Sequence, residues 1–130
     1  MTAFLDTNVI IRHLTGDPPA MATRATAVLS GPGPLLLVDL VVAECVYVLE
    51  SFYDVLRVRV AELMRAAIAL PSIQTIDAKL LLRAIAVYEI DRLDFAEAYL
   101  VAHAETTGVN AIVSFDRSID RVATIVRHEP

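Results

Sequence analysis

Hydrophobic residues along the chain alternate between short continuous runs and longer stretches with helical spacing. The short runs predict strands at residues 3–5, 35–38, 73–76, 111–113 and 124–126. The longer stretches predict helices at residues 9–14, 20–29, 39 or 40 to 52, 58–70, 78–88 and 95–107. Short strands that alternate with helices are typical of an α/β domain with a mainly parallel sheet.

Glycine, proline and aspartate mark the boundaries between these elements. Breakers stand at residues 16–19 and 30–34, and Pro71 and Gly108 each end a predicted helix. Asp77 is a good N-cap for the helix that follows it. The loops are short, and no repeat or low-complexity segment interrupts the pattern. The 130 residues are therefore predicted to form a single domain over 1–130.

Composition excludes disorder and argues against a membrane protein. Hydrophobic residues make up 56% of the chain, charged residues 21%, and the mean hydropathy is +0.58. Asp39 and Glu44 interrupt the longest apolar stretch, residues 35–49, so no membrane-spanning helix is predicted. The first residues lack the basic start of a signal peptide. A single cysteine, Cys45, suits a reducing compartment, and we expect a cytoplasmic protein with this cysteine in its core.

The acidic net charge of −5 would ordinarily disfavour a nucleic-acid partner. Ten of the eleven basic residues are arginines, however, and Lys79 is the single lysine. Arginine can contact a phosphate with two parallel hydrogen bonds, which lysine cannot do. Divalent cations would also offset clustered acids. The isoelectric point near 5.0 is therefore compatible with a phosphate substrate.

Acidic and polar side chains follow the first and fourth predicted strands. Asp6, Thr7 and Asn8 follow the first strand, and Ser114 and Asp116 follow the fourth. In open parallel sheets, ligands bind outside the carboxyl ends of the strands. Each aspartate could instead cap the helix or turn that comes after it. Both interpretations stay open on the sequence alone.

Further acids occupy predicted helices. Glu44 has apolar neighbours along its helix and is expected to be buried, either in an ion pair with an arginine or as a metal ligand. Asp94 and Glu97 have the spacing of a capping box, and they could also bind a metal. Magnesium prefers carboxylate oxygens together with water and substrate phosphate. Acids from these separate elements could meet in one pocket.

Four segments in order resemble the motifs of the PIN-domain ribonucleases, and specifically the VapC-like toxins of toxin–antitoxin pairs. The segment 4–10, Phe-Leu-Asp-Thr-Asn-Val-Ile, looks like the first motif. Glu44 within 42–49 falls where the family has its second acid. The segment 93–100 is similar to the third motif, and 113–117, Val-Ser-Phe-Asp-Arg, is similar to the fourth.

This resemblance implies a three-layer α/β/α sandwich with a mainly parallel central sheet. It implies a homodimer that cleaves single-stranded or looped RNA with Mg²⁺ or Mn²⁺ and is neutralised by a small antitoxin in a hetero-oligomer. Metal lowers the pKa of a bound water and neutralises the charge that develops in phosphodiester hydrolysis. The candidate metal ligands and catalytic residues are Asp6, Glu44, Asp116, and Asp94 or Glu97. The residues expected to orient them are Thr7, Asn8 and Ser114.

Two arginines, Arg12 and Arg117, are candidates for contacting RNA phosphate, although either could be solvated surface arginine. The three histidines share no spacing, and none is assigned to catalysis. The family most often has aspartate where this chain has Glu97, so a catalytically inactive PIN-like binding protein is an alternative function.

Two further protein classes fit the sequence less well. A phosphatase of the haloacid-dehalogenase type would need a second aspartate where this chain has Asn8. A phosphorylation receiver domain would need an acidic pair near the first strand and a late lysine, and Lys79 is mid-chain.

Overall fold

Three short parallel strands form the sheet of the first of two compact units, residues Met1–Ile76, in a computed structural model that describes all of residues 1–130. The strands are β1 (Ala3–Phe4), β2 (Leu35–Leu36) and β3 (Ile73–Gln74), in the order β1-β2-β3. Ala3 pairs with Leu35, which pairs with Ile73. The Leu5 N–H bonds the Leu36 carbonyl at 2.9 Å and continues the ladder one residue beyond β1.

Four helices accompany this sheet, each at a predicted position. They are α1 (Thr7–Thr15), α2 (Pro19–Leu29), α3 (Asp39–Ser51) and α4 (Arg57–Ile68). Helix α1 packs against α2 and α3, and α3 packs against α4. Helix α1 begins two residues before the predicted start at Val9, because Asp6 caps it directly after β1. The carboxyl end of β1 thus passes at once into a helix N-terminus.

A tight turn at Gly33 fixes the entry to β2. Gly33 has a φ of +63°, and a Cβ atom there would lie 2.6 Å from the Ser72 carbonyl oxygen. The Ser72 hydroxyl donates to the Leu29 carbonyl at 2.6 Å, and the Leu35 N–H donates to the Ser72 carbonyl at 2.7 Å. Only glycine fits both the backbone conformation and the close approach at this position.

The C-terminal unit, Asp77–Pro130, contains two helices and a second parallel pair of strands. Its regular elements are α5 (Ala78–Ala86), α6 (Phe95–Thr107), β4 (Ala111–Val113) and β5 (Val126–His128). Helix α5 packs along α6. Strand β5 lies two residues after its predicted position at 124–126. Every strand pair in both units is parallel, as predicted.

The C-terminal unit also contains two irregular turns that the sequence pattern does not predict. Helix α5 was predicted to run to Tyr88, but it changes into a π-helical turn over Val87–Asp91. Arg92 ends that turn with a φ of +61°. A 3₁₀ helix, Arg117–Arg121, lies in the connection between β4 and β5.

Aliphatic side chains fill the core of each unit. In the N-terminal unit Leu49 and Met64 are fully buried, and in the C-terminal unit Leu81 is fully buried and Tyr88 almost fully buried. Cys45 is also fully buried, as predicted. No helix is long and apolar enough to cross a membrane. The prediction of a single domain over 1–130 stays a prediction.

Candidate functional site

Asp6 is the first acid of the chain, and it caps helix α1. Its Oδ1 atom accepts a hydrogen bond from the Thr7 backbone N–H at 2.8 Å. The predicted capping role is therefore confirmed, and it engages one carboxylate oxygen. The Asp6 side chain is exposed, so its second oxygen is available to a ligand. The capping and ligand-binding interpretations are compatible.

Glu44 is exposed, and the expectation that it is buried was wrong. Helix α3 buries Val42, Cys45 and Leu49, whose spacing places them on one face. Glu44 lies on another face of the helix. It forms no ion pair with an arginine, so that alternative is also wrong. Its carboxylate is free to bind a cation.

Asp6 and Glu44 line one cavity of about 270 Å³ in the N-terminal unit. This volume is close to the lower end of small-molecule sites, about 300 Å³. The lining residues come from α1, from α3 and from the segments next to them: Asp6, Thr7, Asn8, Ile11, Arg12, Glu44, Val48, Phe52 and Tyr53. Thus the predicted residues Asp6, Thr7, Asn8, Arg12 and Glu44 do lie together. The cavity combines carboxylates, an arginine and two aromatic rings.

The carboxylates of Asp6 and Glu44 both lie near the thiol of Cys45. The pKa of the Cys45 thiol is raised to about 12, first by burial and then by the negative charges of Glu44 and Asp6. Both acids thus act on a single buried atom of α3. Two carboxylates that share an open cavity attract a cation, because their mutual repulsion falls when one binds.

Thr7 supplies a polar atom that the protein leaves unpaired. Thr7 is only 6% exposed, and its Oγ1 atom has no hydrogen-bond partner. Buried polar atoms are nearly always paired in native proteins, so an orphan on a cavity wall indicates a ligand or its water. Magnesium keeps several waters and uses one or two carboxylates. The donor set of Asp6, Glu44 and Thr7 therefore fits a hydrated divalent cation.

Arg12 is the one predicted RNA-contacting arginine that lines this cavity. Its Nη1 atom donates to the Asp17 carbonyl at 3.3 Å. Its Nε atom is buried without a partner. Arg117, the other candidate, is an exposed residue of the 3₁₀ helix in the C-terminal unit. Because this Nε atom has no partner in the protein, Arg12 can still donate a hydrogen bond to a ligand.

In the C-terminal unit, Asp116 caps the turn that follows β4. Its Oδ1 atom accepts from the Ser118 backbone N–H at 2.9 Å, so the predicted turn cap is confirmed. Hydrogen bonds from the hydroxyl and backbone of Ser118, then the charges of Arg121 and Arg127, hold the pKa of Asp116 below its usual value. The Ser114 hydroxyl accepts from the Asp116 N–H at 2.9 Å. Ser114 therefore fixes the backbone that carries Asp116.

Asp94 and Glu97 both begin helix α6, and the predicted capping box is absent. Asp94 occupies the N-cap position, but its side chain forms no capping hydrogen bond. It is exposed, and Glu97 in the first turn is half-buried. Neither carboxylate has a partner within the unit, so both stay candidate ligands. Neither unit by itself gathers three or more histidine, cysteine, aspartate or glutamate side chains that could hold a metal.

The apolar wall of the cavity was not predicted from the sequence. Val48 and Phe52 follow Glu44 at intervals of four residues, and Tyr53 is next to Phe52. The i, i+4, i+8 spacing of Glu44, Val48 and Phe52 places them along one stripe of α3 and its C-cap. This spacing could have indicated the two apolar residues from the sequence. Ile11 likewise follows Thr7 by four residues in α1.

Four chains of known structure match this chain, and one of them is a structural neighbour over nearly its full length. The neighbour is the crystal structure of VapBC2 from Rickettsia felis bound to a DNA fragment from their promoter. It is 15% identical, covers 99% of this chain and 98% of the other, and has a TM-score of 0.39. No curated protein sequence matches the chain.

The family comparison covers nearly the whole chain. The PIN domain family matches residues 3–125, a range that contains all four motifs. This match confirms the predicted PIN-like α/β fold class. Proteins of this family are typically nucleases and generally depend on a divalent metal. The chain belongs to the PIN domain family.

Proposed function

We propose that the protein is a metal-dependent endoribonuclease of the VapC type, the toxin of a toxin–antitoxin pair. The observation that carries this proposal is the cavity in which Asp6 and Glu44 stand beside the buried, unpaired hydroxyl of Thr7. Carboxylates that keep an oxygen free of protein contacts suit a cation, and the arginine that lines the same cavity suits a phosphate. Membership of a nuclease family supports this interpretation.

Mg²⁺ or Mn²⁺ would be held by Asp6 and Glu44. Asp116 and either Asp94 or Glu97 are proposed to complete the set, directly or through water. A bound divalent cation activates a water as nucleophile and stabilises the leaving oxygen. Asp94 forms no capping hydrogen bond and Asp116 caps its turn through Oδ1, so these candidate ligands retain carboxylate oxygens for a cation.

The remaining polar residues have positioning roles in this proposal. The Thr7 N–H holds the Asp6 carboxylate in place, and the Thr7 hydroxyl and the Asn8 amide orient ligands around it. Ser114 fixes the backbone at Asp116, and the Ser118 N–H holds that carboxylate in place. Arg12 binds the RNA phosphate in the cavity that contains the carboxylates, and Arg117 is the second candidate for a phosphate contact.

The proposal includes a homodimer and a hetero-oligomer with a small cognate antitoxin, in the cytoplasm where the RNA substrate is found. Large apolar side chains at the surface support such interfaces, and Leu40, Leu56 and Ile76 are each more than three-quarters exposed. A partner that covers them would remove this apolar area from water. Size-exclusion chromatography of the purified chain at micromolar concentration should therefore show a dimer.

A catalytically inactive PIN-like binding protein is the second candidate function. The observation that favours it is Glu97, a glutamate where the family most often has aspartate. Isothermal titration of the purified chain separates the two candidates. The ribonuclease should bind Mn²⁺ at millimolar concentration, and Asp6→Asn should weaken that binding, whereas an inactive homologue should bind no metal.

The main test compares RNA cleavage by the wild-type protein and Asp6→Asn in Mg²⁺ or Mn²⁺. Asparagine keeps an oxygen that accepts the Thr7 N–H, so the helix cap survives while the negative charge is lost. We expect cleavage to fall by more than about 100-fold, since even residues that only support metal ligands typically contribute 10- to 100-fold.

The matched control is Glu62→Gln, which removes an exposed acid of α4 that pairs with Arg59 outside the cavity. This variant should cleave RNA as fast as the wild type. Equal cleavage by Asp6→Asn and the wild type would contradict the proposed site.

A further inference from the structure

The cavity that contains Asp6 and Glu44 has two chemically different ends. Carboxylates and the Thr7 hydroxyl line one end, and the rings of Phe52 and Tyr53 line the other. A hydrated cation and a phosphate bind to charged and polar groups and make no use of aromatic rings. The aromatic end therefore needs a different occupant, one with an apolar, flat surface.

Helix α3 sets the distance between these ends. Glu44, Val48 and Phe52 are spaced by four residues, and the Phe52 N–H still bonds the Val48 carbonyl at 3.0 Å. At 1.5 Å per residue, Glu44 and Phe52 are about 12 Å apart along the helix axis. A group at Phe52 is thus too far away to be the phosphate at the carboxylates, and it belongs to a neighbouring part of the same ligand.

Phe52 is held in place but not covered. The side chain is 76% exposed. Its ring meets Tyr53 in an edge-to-face contact, with centroids 5.0 Å apart and planes at 67°. The Tyr53 hydroxyl donates to Asp17 Oδ2 at 3.1 Å, which anchors this neighbour to the loop after α1. An anchored aromatic ring that stays exposed on a cavity wall is a preformed surface for stacking.

We propose that Phe52 is a stacking platform for an unpaired nucleobase next to the phosphodiester that is cleaved. The inference rests on the proposed function and deepens it by naming a substrate contact. Every base has a π-face, so stacking of this kind tolerates many sequences but requires an unstacked base. Arg12 lies in the same cavity and supplies the positive charge for the backbone of that strand. The substrate is therefore single-stranded at this position.

Tyr47 provides a matched comparison on the same helix. It is an aromatic residue of α3 and is 68% exposed, close to the value for Phe52. It does not line the cavity. A general effect of removing an exposed ring from α3 would be the same at both positions, whereas a substrate contact affects Phe52 alone.

The test measures binding of a fluorescein-labelled single-stranded RNA of about 12 nucleotides by anisotropy, in EDTA and at fixed salt. Phe52→Ala should bind about tenfold more weakly than the wild type, since stacking on one aromatic side chain has about that effect. Phe52→Tyr keeps the ring and should bind within about twofold of the wild type, as should Tyr47→Ala.

A set of RNAs with one abasic nucleotide each identifies the contact. For the wild type, the abasic site at one position should weaken binding about tenfold, and Phe52→Ala should not respond to that same change. Equal binding by Phe52→Ala and the wild type, or the same loss for Tyr47→Ala, would overturn the inference and assign the ring to a protein-docking face. Retained cleavage by Asp6→Asn would instead overturn the proposed function, so the two failures are distinguishable.

Discussion

The two compact units differ in how they treat their polar atoms. In the N-terminal unit, the cavity leaves Thr7 Oγ1 and Arg12 Nε buried without partners. In the C-terminal unit, Arg83 pairs with Glu105 through two hydrogen bonds of 2.7 and 2.9 Å, and Arg127 pairs with Asp120. The N-terminal unit thus has buried side-chain polar atoms without a protein partner, whereas the C-terminal unit has none.

This difference separates binding from stability. Paired groups such as Glu105 stabilise the fold, whereas an unpaired buried atom costs about 1–3 kcal/mol unless a ligand or water satisfies it. A protein that keeps such an atom next to two carboxylates loses some folding stability and gains a group that can bind a ligand. We therefore expect substitutions in the N-terminal cavity to affect activity and substitutions in the C-terminal pairs to affect stability.

The largest expected effect comes from the two cores. Leu49 of α3 and Leu81 of α5 are both fully buried. Leu49→Ala and Leu81→Ala should each lower the free energy of unfolding by about 3 kcal/mol, because each removes buried methyl groups and leaves a cavity. Urea unfolding measured by circular dichroism gives both values.

Leu49→Ala also tests whether the chain forms the single domain predicted from the sequence. If residues 1–130 unfold as one domain, Leu49→Ala should speed hydrogen exchange of core amides in 77–130 as well as in 1–76. Faster exchange in 1–76 alone would show that the two units unfold independently.

The next effect concerns Thr7 and changes stability and activity in opposite directions. Thr7→Val replaces the unpaired hydroxyl with a methyl group of similar size. The unfolding free energy should stay the same or rise by about 1 kcal/mol, because an unsatisfied buried group is removed. RNA cleavage should fall by about tenfold or more, because a group that orients ligands is lost.

Ser72→Ala is the matched control, since the Ser72 hydroxyl is buried and bonded to the Leu29 carbonyl. Its loss should lower the unfolding free energy by about 1–2 kcal/mol and leave the RNA cleavage rate unchanged. A destabilised Thr7→Val with full activity would show that Thr7 is only a packing residue.

The smallest effect is expected at Glu105. Hydrogen bonds from Arg83 and then Thr124 lower the pKa of Glu105 below its ordinary value of 4.5. The pair with Arg83, which is 43% exposed, should contribute about 0.5–1 kcal/mol at pH 7. Because the folded pKa is the lower one, this contribution is present above pH 4.5 and is lost as pH falls through the folded pKa.

Unfolding of the wild type and Glu105→Gln at several pH values checks this expectation. The difference in unfolding free energy should shrink as the pH drops below 4.5. A difference that stays constant with pH would assign the effect to packing instead of charge.

Local signals predicted most of the fold. The caps at Asp6, Asp77 and Asp116 form as expected, because an aspartate before a helix needs only its own neighbours to form a cap. The π-helical turn at Val87–Asp91 was missed, since the residues after α5 continue a helical pattern and give no local sign of the extra residue per turn.

The site was predicted less well, because exposure depends on what covers a helix. Glu44 has apolar neighbours in sequence, yet only one face of α3 is buried, so the hydrophobic count overstated its burial. Asp94 has capping-box spacing but forms no cap, because spacing does not determine the rotamer of a side chain. The role of Phe52 depends on its position over an open cavity, which needed the three-dimensional structure.

The buried position of Cys45 has a practical consequence for chemical labelling. It is the only cysteine of the chain and is fully buried directly after Glu44. A water-soluble alkylating reagent can reach its sulfur only when α3 opens. The alkylation rate therefore reports how often the helix that carries Glu44 opens, and a ligand that closes the cavity would slow that reaction.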